Sequence, residues 1–497
     1  MSINKKSLTV LLLVFSHVAL SQTYAEKYQY YIKKEELKEH LIVLASDSLE
    51  GRATGKQGQK KAANFIKNKF QEMDVAPAIS NMNYLQPYTV VSVFPSGKLS
   101  INKDEFSFYN DFIFFEESVV SKLSEKEIIY IPIHAKKKNE INVTNKLVVL
   151  TDKEVEDFDN VALRQHYETY KERGAAAVLF ISPTFFSLKN DYQEQLTEPY
   201  KLLETDLIAS INCPLIFGSE RLMSSLPFSK RSLRRRAKDK KLKNIEELGS
   251  FSISLNTDTS HLVTENVIAK IEGTNKKEKE HLIIMAHYDH LGKANNGAVY
   301  NGADDNGTGT AALLALAKAF KIAESQKDGP DRTVLFMAVS GEEIGLLGSR
   351  YYTENPLLPL NETVAVLNID MIGRTDSIHK KRDSNYVYII GSDFLSSELH
   401  QINEEANKKH TKLALDYTYN DKSHPLRLYY RSDHYNFAKH GVPSIFYFGG
   451  FHEDYHQISD TEDKIEYDKL EQITKLVFFT AWELLNNSRP VVNKKTR

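Results

Sequence analysis

The sequence predicts an α/β fold: a mixed, mostly parallel central sheet flanked by helices over 256–497, with a smaller β-rich α/β domain inserted at 119–255. Two observations carry this reading. From about 262 to 490, short apolar runs alternate with amphipathic stretches of helical length. The runs are also nearly continuous in apolar residues, as strands covered on both faces require. Predicted strands are 267–271, 282–286, 333–339, 364–369, 386–390 and 444–448, and predicted helices are 309–321, 396–409 and 467–486.

Residues 22–118 are expected to form the N-terminal part of the same domain. There a Gly-rich turn is followed by Ala62, Phe65, Ile66 and Phe70 at helical spacing, which predicts a helix. The block 119–255 has a different texture. Short strands at 128–133, 147–150 and 177–181 surround one helical stretch at 160–174, and a basic run, KRSLRRRAKDKKLK (230–243), closes the block. That run is read as a solvated face, with docking of an anionic partner as the alternative.

A chain of 497 residues has room for two or three domains at roughly 100–200 residues each. With 41% hydrophobic and 26% charged residues, neither disorder nor a membrane bundle is indicated. The formal net charge of -2 supplies no global field for nucleic acid. At the N-terminus, Lys5 and Lys6 precede the apolar stretch 8–20, and Ala19 and Ser21 provide small residues before Gln22. This pattern predicts a signal peptide over 1–21 and an exported protein, periplasmic or extracellular and of bacterial type, without stable membrane insertion. The single cysteine, Cys213, lies in the apolar run INCPLIF and is read as a buried small residue.

The chemistry lies just beyond the end of each predicted strand. After 282–286 come His287, Asp289 and His290; after 333–339, Glu342 and Glu343; after 364–369, Asp370; and after 444–448, a loop with His456. Ligands of open α/β sheets bind at the carboxyl ends of the strands, so these groups are expected to meet at one edge. Asp304 and Asp305 precede the helix starting near Gly309 and should project the same way. Taken singly, each has a plainer explanation: a helix cap for the aspartates, a solvated turn for the glutamates, a structural role for His456. Asp370 resists this, because a carboxylate ending a buried strand is costly unless paired or metal-bound.

Two histidines and three carboxylates without a thiolate suit zinc, and less selectively manganese or cobalt. Five ligands exceed what one tetrahedral ion with an open position needs. They suffice for two ions if one carboxylate bridges, and two ions can activate a shared water. Glu342, left over beside Glu343, then has a role as general base.

With these residues in view, the chain resembles the co-catalytic zinc aminopeptidases, metallopeptidase family twenty-eight. The resemblance runs over about 40–70 and about 262–470, and six stretches occur in the family's order: AHYDHLG, GADDNGTG, SGEEIGLLGS, NIDMIGR, SDHYNFAKHGVPSIFYFGG and DYHQISDTEDKI. It implies a zinc aminopeptidase-like fold, two Zn2+ ions per chain, and peptide substrates with a free N-terminus. By the same resemblance Asp305 bridges the metals, His287 and Asp370 complete one ion, and Glu343 and His456 the other. Glu342 is implied as base, Asp289 as the residue orienting His287, and Tyr455 as an oxyanion donor. Asp433 is supportive, and His290 and His452 are not ligands. The inserted block resembles a protease-associated domain, through KLVVLTDKEVEDF and ERGAAAVLFIS. Three alternatives stay open at this point: a glutaminyl cyclotransferase, an acidic-dipeptide carboxypeptidase, and a non-catalytic binding ectodomain.

Overall fold

In the computed structural model, residues 24–487, 490 and 492 are described, apart from 80–82, 115–120, 132–139, 152–160, 183, 192, 194–195, 197, 210–212, 227–246, 256–257, 276–278 and 382. The expected leader at 1–21 and the basic run at 230–243 lie outside the described residues. The chain divides into two compact units, one of 1–88 with 263–497 and one of 89–262.

The first unit is built on a sheet whose strands are β1 (Thr259–Ile271), β2 (His281–His287), β3 (Thr333–Val339), β4 (Thr363–Asp370), β5 (Tyr386–Ile390), β6 (Ala414–Asp416) and β7 (Ser444–Phe448). Across the sheet their order is β6-β5-β7-β4-β2-β3-β1. β2 runs parallel to β3 and β4, and β4 parallel to β7. The flanking β1–β3 and β5–β7 pairs are antiparallel. The sheet is therefore mixed and mostly parallel, as the apolar runs require.

Both faces are covered. Leu282, Ile284 and Ala286 of β2 join the cluster beneath the helices α1 (Lys34–Leu44), α2 (Gln57–Glu72), α3 (Gly309–Ser325) and α4 (Tyr467–Asn486). Ile283 and Met285 point the other way, into a cluster with Tyr352 and Phe437. This strict alternation fixes the register, since a one-residue slip would turn the whole set over. α3 is buried around most of its circumference, including Leu313, Leu314, Leu316 and Phe320. Each such side chain contributes about 1.5–3 kcal/mol relative to exposure.

The second unit has its own eight-stranded sheet and, among the described residues, its own apolar clusters. Its boundary differs from the expected 119. Gly97–Ile101 pairs with Glu247–Leu255, and Phe112–Phe114 pairs with Leu215–Gly218, so strands assigned to the N-terminal part belong to this sheet. The pairing is non-local, and local composition carries no trace of it. Cys213 is buried, as expected. Among the described residues no helix is long and apolar enough to cross a membrane.

Candidate metal centre

Because β2, β3, β4 and β7 run in one direction, their carboxyl ends share one edge of the sheet. His287 closes β2 and Asp370 closes β4, both buried. Gly341, with φ +73°, turns the chain just beyond β3 so that Glu342 and Glu343 face the same edge. A Cβ there would lie 2.8 Å from the Tyr88 hydroxyl, so the turn needs glycine. Met371 and His456 also hold positive φ, 54° and 57°. Non-glycine residues in this region cost of order 1–3 kcal/mol and cluster at functional sites.

The aspartate pair divides its work. Asp304 is a staple: its Oδ1 accepts from the Gly373 amide at 2.6 Å and the Thr308 hydroxyl at 3.0 Å. The Asn306 side chain donates to Ile369 O at 2.9 Å and accepts from the Met371 amide at 3.2 Å. These bonds tie the loop to the end of β4 and leave the Asp305 carboxylate directed at the histidines. The Asp305–Asn306 peptide is cis.

The five predicted ligands come together. His287 Nε2 lies 3.3 Å from Asp370 Oδ1 and 3.4 Å from Asp305 Oδ1. His456 Nε2 lies 3.1 Å from Asp305 Oδ2 and 3.3 Å from Glu343 Oε2. Asp305 thus stands between the two histidines, with one oxygen toward each. Ligand atoms of His287, Glu342 and Asp370 fall within 4.8 Å of one another, as do those of His287, Asp305 and Glu343.

Burial would lower both imidazoles, but the carboxylates outweigh it. Asp370 and Glu342 hold His287 well above its ordinary value, and Asp305 and Glu343 lift His456 to about 10. Burial, reinforced by Glu343 and Asp370 against the opposing His287, holds Glu342 well above the usual carboxylate range. So dense a set of half-buried and buried acids demands positive charge, which divalent cations supply to an N/O donor set of this kind.

The surrounding residues fix the ligands. The Asp289 carboxylate is fully buried and accepts from the Thr54 hydroxyl at 2.6 Å and the Glu342 amide at 3.3 Å. His287 Nδ1 is nearer the Asp289 main-chain oxygen, at 3.2 Å, than its carboxylate, at 3.7 Å. Ser432 donates to Asp370 Oδ2 at 2.7 Å. Asp433 is buried beside the site, and burial with Asp289 and Asp370 nearby raises it to about 7. The Tyr455 ring stacks on His456 with centroids 3.9 Å apart. Burial keeps its phenol protonated far above neutral pH, with Asp305 and Glu343 adding to the effect.

Three features were not legible beforehand. His290, expected at this edge but not as a ligand, reaches Glu343 Oε1 with Nδ1 at 2.7 Å and lies 3.7 Å from Asp305 Oδ2. Asp460 accepts the amides of Asp304 at 3.0 Å and Asp305 at 3.1 Å, anchoring the backbone under the central carboxylate. His452 contacts Asp304 Oδ2 at 3.2 Å, which keeps it one residue removed from the ligand set.

The third feature is Arg52, 1% exposed. Its guanidinium donates to the main-chain oxygens of Tyr288 at 2.8 Å, Leu44 at 2.5 Å, Asn301 at 2.6 Å and Gly302 at 2.8 Å, with Asp305 O at 3.5 Å. Burial pulls its pKa down to about 10, with Asp305, Asp460 and Asp289 opposing. One cation thus fastens the loop after His287 to the loop before Asp305. The sequence marks it only as a charge within a Gly-rich turn.

Comparison with known proteins adds a lineage. A probable leucine aminopeptidase of Arthroderma otae is 30% identical over 247 residues, covering 44% of this chain and 63% of that one. Aminopeptidase YwaD of Bacillus subtilis is 26% identical over 233 residues, covering 46% of each. The chain therefore spans less than two thirds of the length of either relative. Among solved structures, an aminopeptidase from Aneurinibacillus sp. strain AM-1 aligns over 94% of this chain and 98% of its own at a TM-score of 0.49 and 16% identity. The stretch 266–481, which carries all six of the gathered acids and histidines, matches the model of Peptidase family M28.

Proposed function

We propose that the protein is an exported zinc metallo-aminopeptidase that removes N-terminal residues from peptides. The observation that carries this is the Asp305 carboxylate set between His287 and His456, with Asp370 and Glu343 completing the two sides. That symmetry suits two zinc ions sharing one bridging carboxylate, with manganese or cobalt as substitutes. When bound, the metal supplies Lewis acidity toward a peptide carbonyl and lowers the pKa of a water.

The chain's own residues do the rest. Glu342, at the turn after β3, is placed to accept a proton from water and return it to the leaving amine. Asp289 holds the His287 loop through its own main-chain and carboxylate contacts, with Thr54 fixing the carboxylate in turn. The Tyr455 hydroxyl, protonated at neutral pH, is a donor for negative charge developing on the carbonyl oxygen. The carboxylates Glu342 and Asp370 offer acceptors for a free α-amine, which favours peptides with an unblocked N-terminus. The leader expected at 1–21 directs this activity outside the cytoplasm. The second unit is proposed as a protease-associated domain inserted in the peptidase unit.

The test is a panel of aminoacyl chromogenic substrates, N-blocked peptides and peptides with N-terminal glutamine, run with chelation and zinc add-back. Cleavage of free-amine substrates alone, lost on chelation and restored by zinc, is the expected result. Ring closure of N-terminal glutamine, or cleavage of blocked peptides, would replace the reading with a cyclotransferase or a carboxypeptidase. Asp305→Ala, which removes the shared carboxylate, should bind less than half the metal of the parent by elemental analysis; unchanged metal content would show that Asp305 does not bridge.

A further inference from the structure

The cleft at the metal centre is lined by charges of both signs. Its lining includes the acids Asp305, Glu342 and Asp370 with His287 and His456. The same lining holds the apolar Met371, Leu428, Phe446, Phe448 and Phe451 and one further charged side chain, Arg431. Arg431 is the only guanidinium or ammonium group in that lining, and among the described residues it has no acidic partner.

Its position is set by a ladder of rings. The guanidinium carbon lies 5.6 Å from the centroid of Phe451. Phe451 meets Tyr455 edge-on at 4.9 Å, and Tyr455 stacks on His456. Two rings therefore separate an unpaired cation from a ligand histidine. Arginine stacked on an aromatic face keeps its fork of N–H donors free for a planar anion. The acids of the cleft call for a cation, and its arginine calls for an anion. A zwitterion of short span meets both demands: two extended residues reach at most about 7 Å.

We propose that Arg431 is a carboxylate-binding subsite of this cleft, so that the favoured substrates are short peptides carrying a carboxylate near the scissile bond. This rests on the peptidase reading above. The carboxylate has two possible sources, the free C-terminus of a di- or tripeptide or an Asp or Glu side chain after the scissile bond. Both present the same group to the guanidinium.

The test compares kcat/KM for Leu-Ala against Leu-Ala-amide, and for Leu-Glu-amide against Leu-Gln-amide, in the parent, Arg431→Met and Arg431→Glu proteins. In the parent, the carboxylate-bearing member of at least one pair should be preferred. That preference should fall about three- to tenfold in Arg431→Met, since the guanidinium is partly solvated, and further in Arg431→Glu. The pair that responds identifies the source. The same four peptides are titrated calorimetrically into zinc-loaded Glu342→Gln protein, with and without Arg431→Met. This reads the preference without turnover, so a chain that hydrolyses none of them sinks the peptidase reading while still testing this one. Equal ratios for parent and Arg431 variants in both pairs, by rate and by binding, would overturn the subsite.

Discussion

Glu342→Gln should lower kcat by about 10²–10⁴-fold or more while leaving metal content and unfolding midpoint close to those of the parent. The amide keeps the volume and one acceptor of the carboxylate but cannot take a proton from water. Glu342 follows a turn whose backbone is fixed by Gly341 at φ +73° and by the Asp289 carboxylate on the Glu342 amide, and neither depends on the side chain. The loss should therefore fall on turnover rather than on folding. Stopped assays on free-amine substrates, with elemental analysis of the same preparation, check both halves. Full activity in the variant would move the proton-transfer role to another group.

The largest effect on stability is expected at Arg52. Arg52→Met should lower the free energy of unfolding by about 4 kcal/mol or more, because it strips the donor from four close main-chain oxygens at ~1 kcal/mol or more each. The methionine keeps much of the apolar stem, so the loss isolates the guanidinium. The oxygens involved belong to Tyr288, Asn301 and Gly302 beside the metal loops and to Leu44 at the end of α1. Loosening them should also weaken zinc retention. Arg52→Lys should recover only part of the loss, since an ammonium is a point donor and cannot span the same fork of acceptors. Urea unfolding and competitive zinc chelation measure the two consequences. A midpoint unchanged in Arg52→Met would show that water replaces the guanidinium without cost.

The site was legible to the extent that local sequence encodes strand ends. Runs such as LIIMA and VAVLNI declare strands buried on both faces, and a histidine or aspartate at the end of such a run has few inexpensive alternatives to pairing. His290 was less accessible. It lies three residues from His287, and spacing alone does not say that its ring turns toward Glu343. Asp460 and Arg52 were hidden for a related reason: both act on main-chain groups, which are the same in every residue and leave no mark in the side-chain pattern. The start of the second unit was hidden because Gly97–Ile101 finds its partner about 150 residues later in the chain, at Glu247–Leu255.

By itself the sequence determined the strands of the first unit, the direction in which their ends had to point, and the kinds of side chain gathered there. Hydrophobic period and residue chemistry are local properties, and they survive in one dimension. Only the tertiary structure decided that Asp304 ties its loop to the end of β4, that Arg52 fastens the loops after His287 and before Asp305, and that Arg431 lines the same cleft as the acids. Each of these depends on distances between segments far apart in the chain, which are fixed when the sheet closes its register and the loops are packed against it.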